Sequence, residues 1–211
     1  MDKFRILDLF CMAGGTSMGY YRAGFEIVGV DINPQPKYPF KFIQANATEF
    51  PLDGYDAYHA SPPCQKYSMA SRQWRKGGKE YPDLIAIIRD RLKNTKKPYI
   101  IENVIGAPLI NPVMLNGAMF GMNVRRVRLF ECSFPVPFIL IPKDKPGTFR
   151  MGRPIKPGDM ITPVGHFSNV PYARKEMGID WMGQKELSQA IPPVYTFWIG
   201  KQLMDWLTTC H

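Results

Sequence analysis

Residues 56–60, Asp56-Ala57-Tyr58-His59-Ala60, form a short, mainly apolar run that is followed at once by Ser61-Pro62-Pro63-Cys64-Gln65-Lys66-Tyr67-Ser68. Two adjacent prolines offer no backbone N–H and fix φ, so they forbid both a continued central ladder and an immediate helix. Cys64 is therefore expected on a stiff turn at the end of a buried strand, which is where an open α/β sheet collects its chemistry. A cysteine alone is more often a small buried hydrophobe than a nucleophile. Its neighbours along the chain have to decide.

Those neighbours repeat the pattern of strand, turn and helix. Residues 4–10 are rich in apolar side chains and lead into Cys11-Met12-Ala13-Gly14-Gly15-Thr16, after which residues 17–23 have helical composition and Gly24 supplies a stop. The glycine pair lets backbone approach a ligand closely, and the helix start beyond it offers unpaired N–H groups. The dinucleotide fingerprint Gly-x-Gly-x-x-Gly is absent. Residues 26–32 predict a second strand ending at Asp31, where a carboxylate can accept from both hydroxyls of a ribose. Residues 41–45 predict a third strand that leads to Asn46.

Leu84, Ile85, Ile87, Ile88 and Leu92 recur at helical spacing and predict a core-facing helix. Residues 98–101 then read as a strand that delivers Glu102-Asn103-Val104 to the same edge as Cys64. A carboxylate at the end of a buried strand is costly unless paired or protonated, which makes Glu102 a functional candidate. Residues 115–122 predict a connecting helix or turn. Residues 123–131 return to a strand pattern whose alternation throws Arg126 and Arg128 onto one face. Residues 133–170 are proline-rich, and an irregular segment with one short hairpin is expected there. Helical character returns from residue 171, ending in the apolar stripe Trp198, Ile199, Leu203, Trp206 and Leu207.

The 211 residues suffice for one well-buried α/β domain with a small appendage, not for two full domains. A formal net charge of +9 favours a polyanionic partner, with nucleic acid the natural candidate. Lys66, Arg72, Arg75, Lys76 and Lys79 lie with Trp74 and Gly77-Gly78 in a stretch directly after Cys64. A loop of that make-up suits closure over a base swung out of a duplex. Cys11, Cys64, Cys132 and Cys210 are far apart and His59, His166 and His211 form no ligand-spaced cluster, so neither a disulfide framework nor a metal site is expected. No stretch reads as a transmembrane span or signal peptide, and a cytoplasmic protein is expected.

Taken in order, these motifs resemble the DNA cytosine-5 methyltransferases of the small phage or bacterial type. Asp8-Leu9-Phe10, Ala13-Gly14-Gly15, Gly19 and Gly24-Phe25 are similar to the family's cofactor motif; Pro63-Cys64-Gln65 and Glu102-Asn103-Val104 are similar to its Pro-Cys-Gln and Glu-Asn-Val motifs. Arg126 and Arg128 align with the arginines of Gln-x-Arg-x-Arg, with Val124 in the place of the glutamine. Residues 177–182, Glu186-Leu187 and residues 190–193 resemble the closing motifs. The chain departs from the family in carrying Asp31 where Glu is usual, Asn46 where an acid is common, and a much shorter interval at 133–170 than the usual target-recognition region.

The resemblance implies an α/β, Rossmann-like S-adenosylmethionine-dependent methyltransferase fold, with a mostly parallel sheet flanked by helices. It implies a discontinuous catalytic and cofactor-binding domain of residues 1–132 and 171–211, its last helix packed beside the first cofactor turn, and a reduced target-recognition insertion at 133–170. Cys64, Glu102, Arg126 and Arg128 are thereby assigned to catalysis. Phe10, Ala13, Gly14, Gly15, Asp31, Ile32, Asn46 and Pro63 are assigned to S-adenosyl-L-methionine, and Gln65, Ser68, Arg72, Arg75, Lys76 and Lys79 to double-stranded DNA. The implied reaction methylates C5 of a flipped-out cytosine through a Cys64 adduct, in the setting of phage or bacterial restriction and modification; the short insertion implies a short or relaxed recognition sequence, or help from an accessory specificity partner. The alternatives are an RNA (tRNA) cytosine-5 methyltransferase of the same fold and a non-catalytic cofactor- or DNA-binding subunit.

Overall fold

The computed structural model describes residues 3–140 and 154–209. Seven strands, β1 (Arg5–Leu9), β2 (Glu26–Asp31), β3 (Lys41–Gln44), β4 (Ala57–Ala60), β5 (Tyr99–Asn103), β6 (Val113–Leu115) and β7 (Arg128–Cys132), form one sheet in the order β3-β2-β1-β4-β5-β7-β6. Strands β1 to β5 run parallel, and β7 is antiparallel to both of its neighbours. Among the described residues six α-helices accompany them: α1 (Gly15–Ala23), α2 (Arg72–Lys76), α3 (Ile85–Asn94), α4 (Val170–Met177), α5 (Gln184–Gln189) and α6 (Pro193–Thr209).

The central strands are covered on both faces, so their sequences read as continuous apolar runs. Side chains still alternate between the faces. Ile6, Ala57, Ile100 and Phe130 enter a core shared with Tyr20 of α1 and with Tyr195, Ile199 and Leu203 of α6. Leu7, Val28, Tyr58 and Ile101 enter the opposite core, against Ile88 and Leu92 of α3. Ile87 of α3 and Trp206 of α6, both expected inside, are substantially exposed because the helices turn only one stripe to the sheet. A third cluster joins Ala13, Val124 and Ile161 to Ala173, Met177, Met182 and Leu187.

Three expected elements differ. Residues 123–127 do not extend β7: Arg125 N donates to Ile161 O at 2.8 Å and Ile161 N to Asn123 O at 2.9 Å, so this segment pairs with residue 161 instead of with the sheet. The same pairing takes the place of a hairpin among the described residues of 133–170; residues 141–153, with Lys143, Lys145, Arg150 and Arg153, lie outside the described residues, as do Cys210 and His211. The basic stretch after Cys64 is also less irregular than expected. It contains a 3₁₀ turn (Met69–Ser71) and the short α2.

Helices α1 and α6 cross in close contact through glycines. Thr196 Oγ1 donates to Thr16 O at 2.8 Å, and a Cβ at Gly19 would collide with Thr196 Oγ1 and with the backbone of Pro193 and Phe197. Alanine returns about 1 kcal/mol of helix propensity, but backbone cannot yield as a flexible side chain does. Gly19→Ala is therefore expected to lower the unfolding free energy by about 1–3 kcal/mol, read from the midpoint of urea denaturation.

Candidate active site

The turn after β1 is strained into a cradle. Phe10 and Met12 have φ of 61° and 47°, Gly14 has φ of 83°, and a Cβ at Gly15 would lie 2.5 Å from Ile191 O. Trp181 Nε1 donates to Ala13 O at 2.8 Å and anchors this turn from the other end of the chain. Asp31, at the end of β2, accepts from Met12 N at 3.1 Å and from Asn33 N at 2.9 Å, one bond on each oxygen, which leaves each oxygen a further lone pair. Ile32 beside it is exposed. Asn46 is otherwise engaged: its Oδ1 accepts from Thr48 N and Thr48 Oγ1 at 3.1 and 2.8 Å, so the carbonyl expected to receive an adenine amino group already caps a turn.

Beneath the cradle lies Asp8, fully buried. Its Oδ2 accepts from the hydroxyls of Thr16, at 2.7 Å, and Ser17, while its Oδ1 has no partner among the described residues. Burial pushes its pKa up to about 7, against the pull of those two hydroxyls. Tyr38, whose ring fills the space that Gly29 leaves, shares the Ser17 hydroxyl at 2.7 Å.

Cys64 emerges one strand away. Asn103 Nδ2 donates to Pro62 O at 2.9 Å, tying the proline turn to the end of β5, and Cys64 O accepts from Tyr67 N and Ser68 N at 3.0 and 2.9 Å. Pro63 sits half-buried between them. Glu102, next to Asn103, is buried, and Arg128 Nε stands 3.1 Å from its Oε1. Burial raises the carboxyl's pKa, opposed first by Arg128 and then by the Ser61 hydroxyl. The Cys64 thiol is likewise pushed up by burial and by Glu102, with Arg128 and Arg126 pulling the other way. A thiol, a carboxyl and an arginine thus share one electrostatic neighbourhood.

Arg126 does not share an open face with Arg128, as strand alternation led us to expect. It precedes β7 and is buried, donating to Pro163 O at 2.8 Å and to Ser188 O at 3.0 Å; its own carbonyl accepts from Tyr195 Oη at 2.7 Å. Burial, then Arg128, lowers its pKa to about 9. Two of its nitrogens are committed to backbone, while Nε has no partner among the described residues.

The basic stretch sorts similarly. Arg75 Nη1 donates to Gln65 O, Ser68 O and Ser71 Oγ at 2.6, 2.8 and 2.7 Å, so this arginine staples its own segment. Lys66 pairs with Asp83 at 3.0 Å and Lys79 stands over the Tyr81 ring at 5.4 Å. Ser68 Oγ caps Ala70 N at 3.2 Å. Gln65, Arg72 and Lys76 are exposed, together with Met69 and Trp74. Sequence reasoning passed over His59, Ser61, Tyr38 and Trp181. The available signal was a histidine inside an apolar strand two residues before Ser61.

Seven strands in this order with one antiparallel member, helices on both faces, and a glycine turn after the first strand define the S-adenosylmethionine-dependent methyltransferase fold. Residues 4–108, about half of the chain and including Cys64 and Glu102, match the family described as C-5 cytosine-specific DNA methylase. Three solved structures are similar in fold: one described as a DNA modification methyltransferase encoded within an E. coli prophage (14% identity, TM-score 0.69, 97% of this chain and 99% of that one), Entamoeba histolytica methyltransferase EhMeth (13%, 0.64, 98% and 99%) and S. pombe Dnmt2 methyltransferase (11%, 0.63, 98% and 99%). No curated protein matches the chain in sequence. Among the described residues no histidine, cysteine and acid cluster could hold a metal, and no helix is long and apolar enough to cross a membrane.

Asp8 gives the site a pH signature. Between its unfolded value of 3.8 and about 7, the folded chain keeps a proton that the unfolded chain has lost, so its contribution to stability falls as pH rises through that window. Asp8→Asn removes the fall. Comparing urea unfolding of variant and parent at pH about 4 and about 8, the difference is expected to move in the variant's favour at the higher pH.

Proposed function

We propose that the chain transfers a methyl group from S-adenosyl-L-methionine to C5 of a cytosine swung out of double-stranded DNA, through a transient bond between Cys64 Sγ and C6. The observation that carries this reading is the meeting of Cys64, Glu102 and Arg128 at adjoining strand ends, with their ionisations coupled.

The cradle fits the cofactor. Asp31 keeps lone pairs for a ribose diol, Phe10, Ala13, Gly14 and Gly15 supply a close backbone wall, and Ile32 and Pro63 offer apolar contact to an adenine ring and to the sulfonium end. When bound, S-adenosyl-L-methionine supplies an electrophilic methyl group and departs as a neutral thioether. Asn46 would contribute its amide N–H donors, since its oxygen is occupied.

Cytosine C5 is a poor nucleophile until C6 is saturated. A free thiol titrates near pH 8.5, and burial and Glu102 hold Cys64 protonated in the resting protein. A proton passed from the Glu102 carboxyl to pyrimidine N3 leaves the carboxylate balanced by Arg128. The Cys64 thiol gives its proton to solvent, its anion favoured by Arg128 and Arg126, and the thiolate forms the S–C6 bond as the C5=C6 pair is drawn towards N3, so that C5 gains enamine character. After C5 has accepted the methyl group, its proton leaves to a solvent-linked base, the C5=C6 bond reforms, sulfur departs with the bonding pair and N3 returns its proton to Glu102. Swinging the base out costs a few kcal/mol, recovered from phosphate and pocket contacts. Arg126 acts by fixing the segment that carries Arg128.

In this reading residues 1–132 and 171–211 make the catalytic domain and residues 133–170 a reduced recognition insertion. The shortness of this interval points to an accessory partner or to a short recognition sequence. A cytoplasmic setting suits the substrate.

A duplex carrying 5-fluorocytosine tests the chemistry, because fluorine at C5 cannot leave as a proton and the adduct persists. The parent is expected to form a denaturation-resistant adduct in the presence of cofactor, and Cys64→Ala none, with cofactor affinity by calorimetry kept within about a few fold. Adduct formation on tRNA but not on duplex DNA would move the substrate to RNA. Arg72→Ala and Lys76→Ala should each reduce the salt slope of DNA binding by about 1, uniformly across sequences, whereas Arg75→Ala should act mainly by loosening the loop.

A further inference from the structure

Behind Glu102 runs a row of polar side chains that the reaction scheme leaves unused. His59 is fully buried in β4, on the sheet face that carries α1. Its Nδ1 lies 2.9 Å from Tyr20 Oη and its Nε2 lies 2.9 Å from Ser61 Oγ. Strands β4 and β5 are parallel with Tyr58 opposite Tyr99, His59 opposite Ile100 and Ala60 opposite Ile101. The next pair in that register is Ser61 and Glu102. Residues two apart on a strand share a face, so His59, Ser61 and Glu102 lie on one side of the sheet.

The hydrogen-bond inventory fixes the direction of the chain. Burial drives the His59 pKa down to about 3, so the imidazole is neutral and has one N–H. Tyr20 Oη, also fully buried, finds its acceptor at His59 Nδ1 and must donate to it. The imidazole proton is then on Nε2 and points to Ser61 Oγ, whose own hydrogen is left for the Glu102 carboxyl. Every donor in this file points towards Glu102, and reversing any one would leave a buried hydroxyl without an acceptor.

We propose that His59 is a positioning residue for Glu102, acting through Ser61: locked in one tautomer by Tyr20, it turns the Ser61 hydroxyl so that it donates to one carboxyl oxygen and leaves the other to face the pyrimidine. The proposal rests on the reading of Glu102 as the group that meets N3. The other groups that face Glu102 are Arg128 from β7, Arg126 from the segment before it, Cys64 from the proline turn and Asp8 from β1. Ser61 opposes burial and stabilises the ionised carboxyl, so the proton given to N3 is given more readily.

The test reads the protein free of substrate and cofactor. With three histidines in the chain, ¹⁵N imidazole NMR is readily assigned, the His59 signal being the one lost in His59→Gln. A neutral Nε2–H tautomer from pH about 5 to about 8 is expected, and an Nδ1–H tautomer or ordinary titration in that range would overturn the proposal. Carboxyl ¹³C NMR then follows Glu102, assigned through Glu102→Gln. Ser61→Ala should move the Glu102 midpoint upward by about one pH unit. His59→Leu should move it the same way, and His59→Gln, whose amide can accept from Tyr20 and donate to Ser61, should restore it. An unmoved midpoint in folded Ser61→Ala would reject the idea. Should His59→Leu fail to fold, the tautomer and Ser61→Ala still decide. Because no turnover is needed, a shifted midpoint without a 5-fluorocytosine adduct would reject methyl transfer and keep the relay. An adduct with an unmoved midpoint would do the reverse.

Discussion

A carboxyl and a guanidinium 3.1 Å apart, both largely withdrawn from water, set the terms for everything around them. Desolvating two such charges costs several kcal/mol per ion, which their mutual attraction offsets only when geometry is good; losing one partner costs about 3–5 kcal/mol. Glu102 and Arg128 can be held this way because they sit on neighbouring strands of opposite direction, β5 and β7, where the antiparallel strand joins the parallel part of the sheet. The reversal lets Arg128 approach from the edge side while the ends of β1 and β4 bring the glycine turn and Cys64 from the other. The site exists at this seam because each of these strands ends there.

The frame was legible from residue pattern alone. Continuous apolar runs at residues 4–10, 26–32 and 98–101, each followed by a polar or glycine turn, specify buried parallel strands, and the double proline marks where Cys64 must stand. What escaped was long-range. Alternation at Arg126 and Arg128 implied a shared face, but Val124 pairs with Ile161 and carries Arg126 into the interior. No local pattern announces a partner some forty residues on. Arg75 was hidden by the same limit, since a cation in a basic stretch looks like a phosphate contact until its three acceptors are seen on its own loop.

Polar groups inside the sheet were likewise masked by composition. Asp8, His59 and Glu102 interrupt apolar strands singly, and each interruption reads as noise. Only the register, with Asp8 opposite His59 and Ser61 continuing to Glu102, shows that they lie on one face. Burial then pushes each of them towards its uncharged form, raising the carboxyl pKa of the two acids and lowering that of the imidazole.

The clasp between α1 and α6 has a consequence for how such a molecule comes into being. Thr196 reaches Thr16 across 180 residues of sequence, Trp181 reaches Ala13 across 168, and Arg126 waits for Ser188. A nascent chain emerging from the ribosome therefore carries its thiol and its glycine turn long before it carries the braces that shape them. The turn and its surroundings are braced only once residues 181–196 have been made.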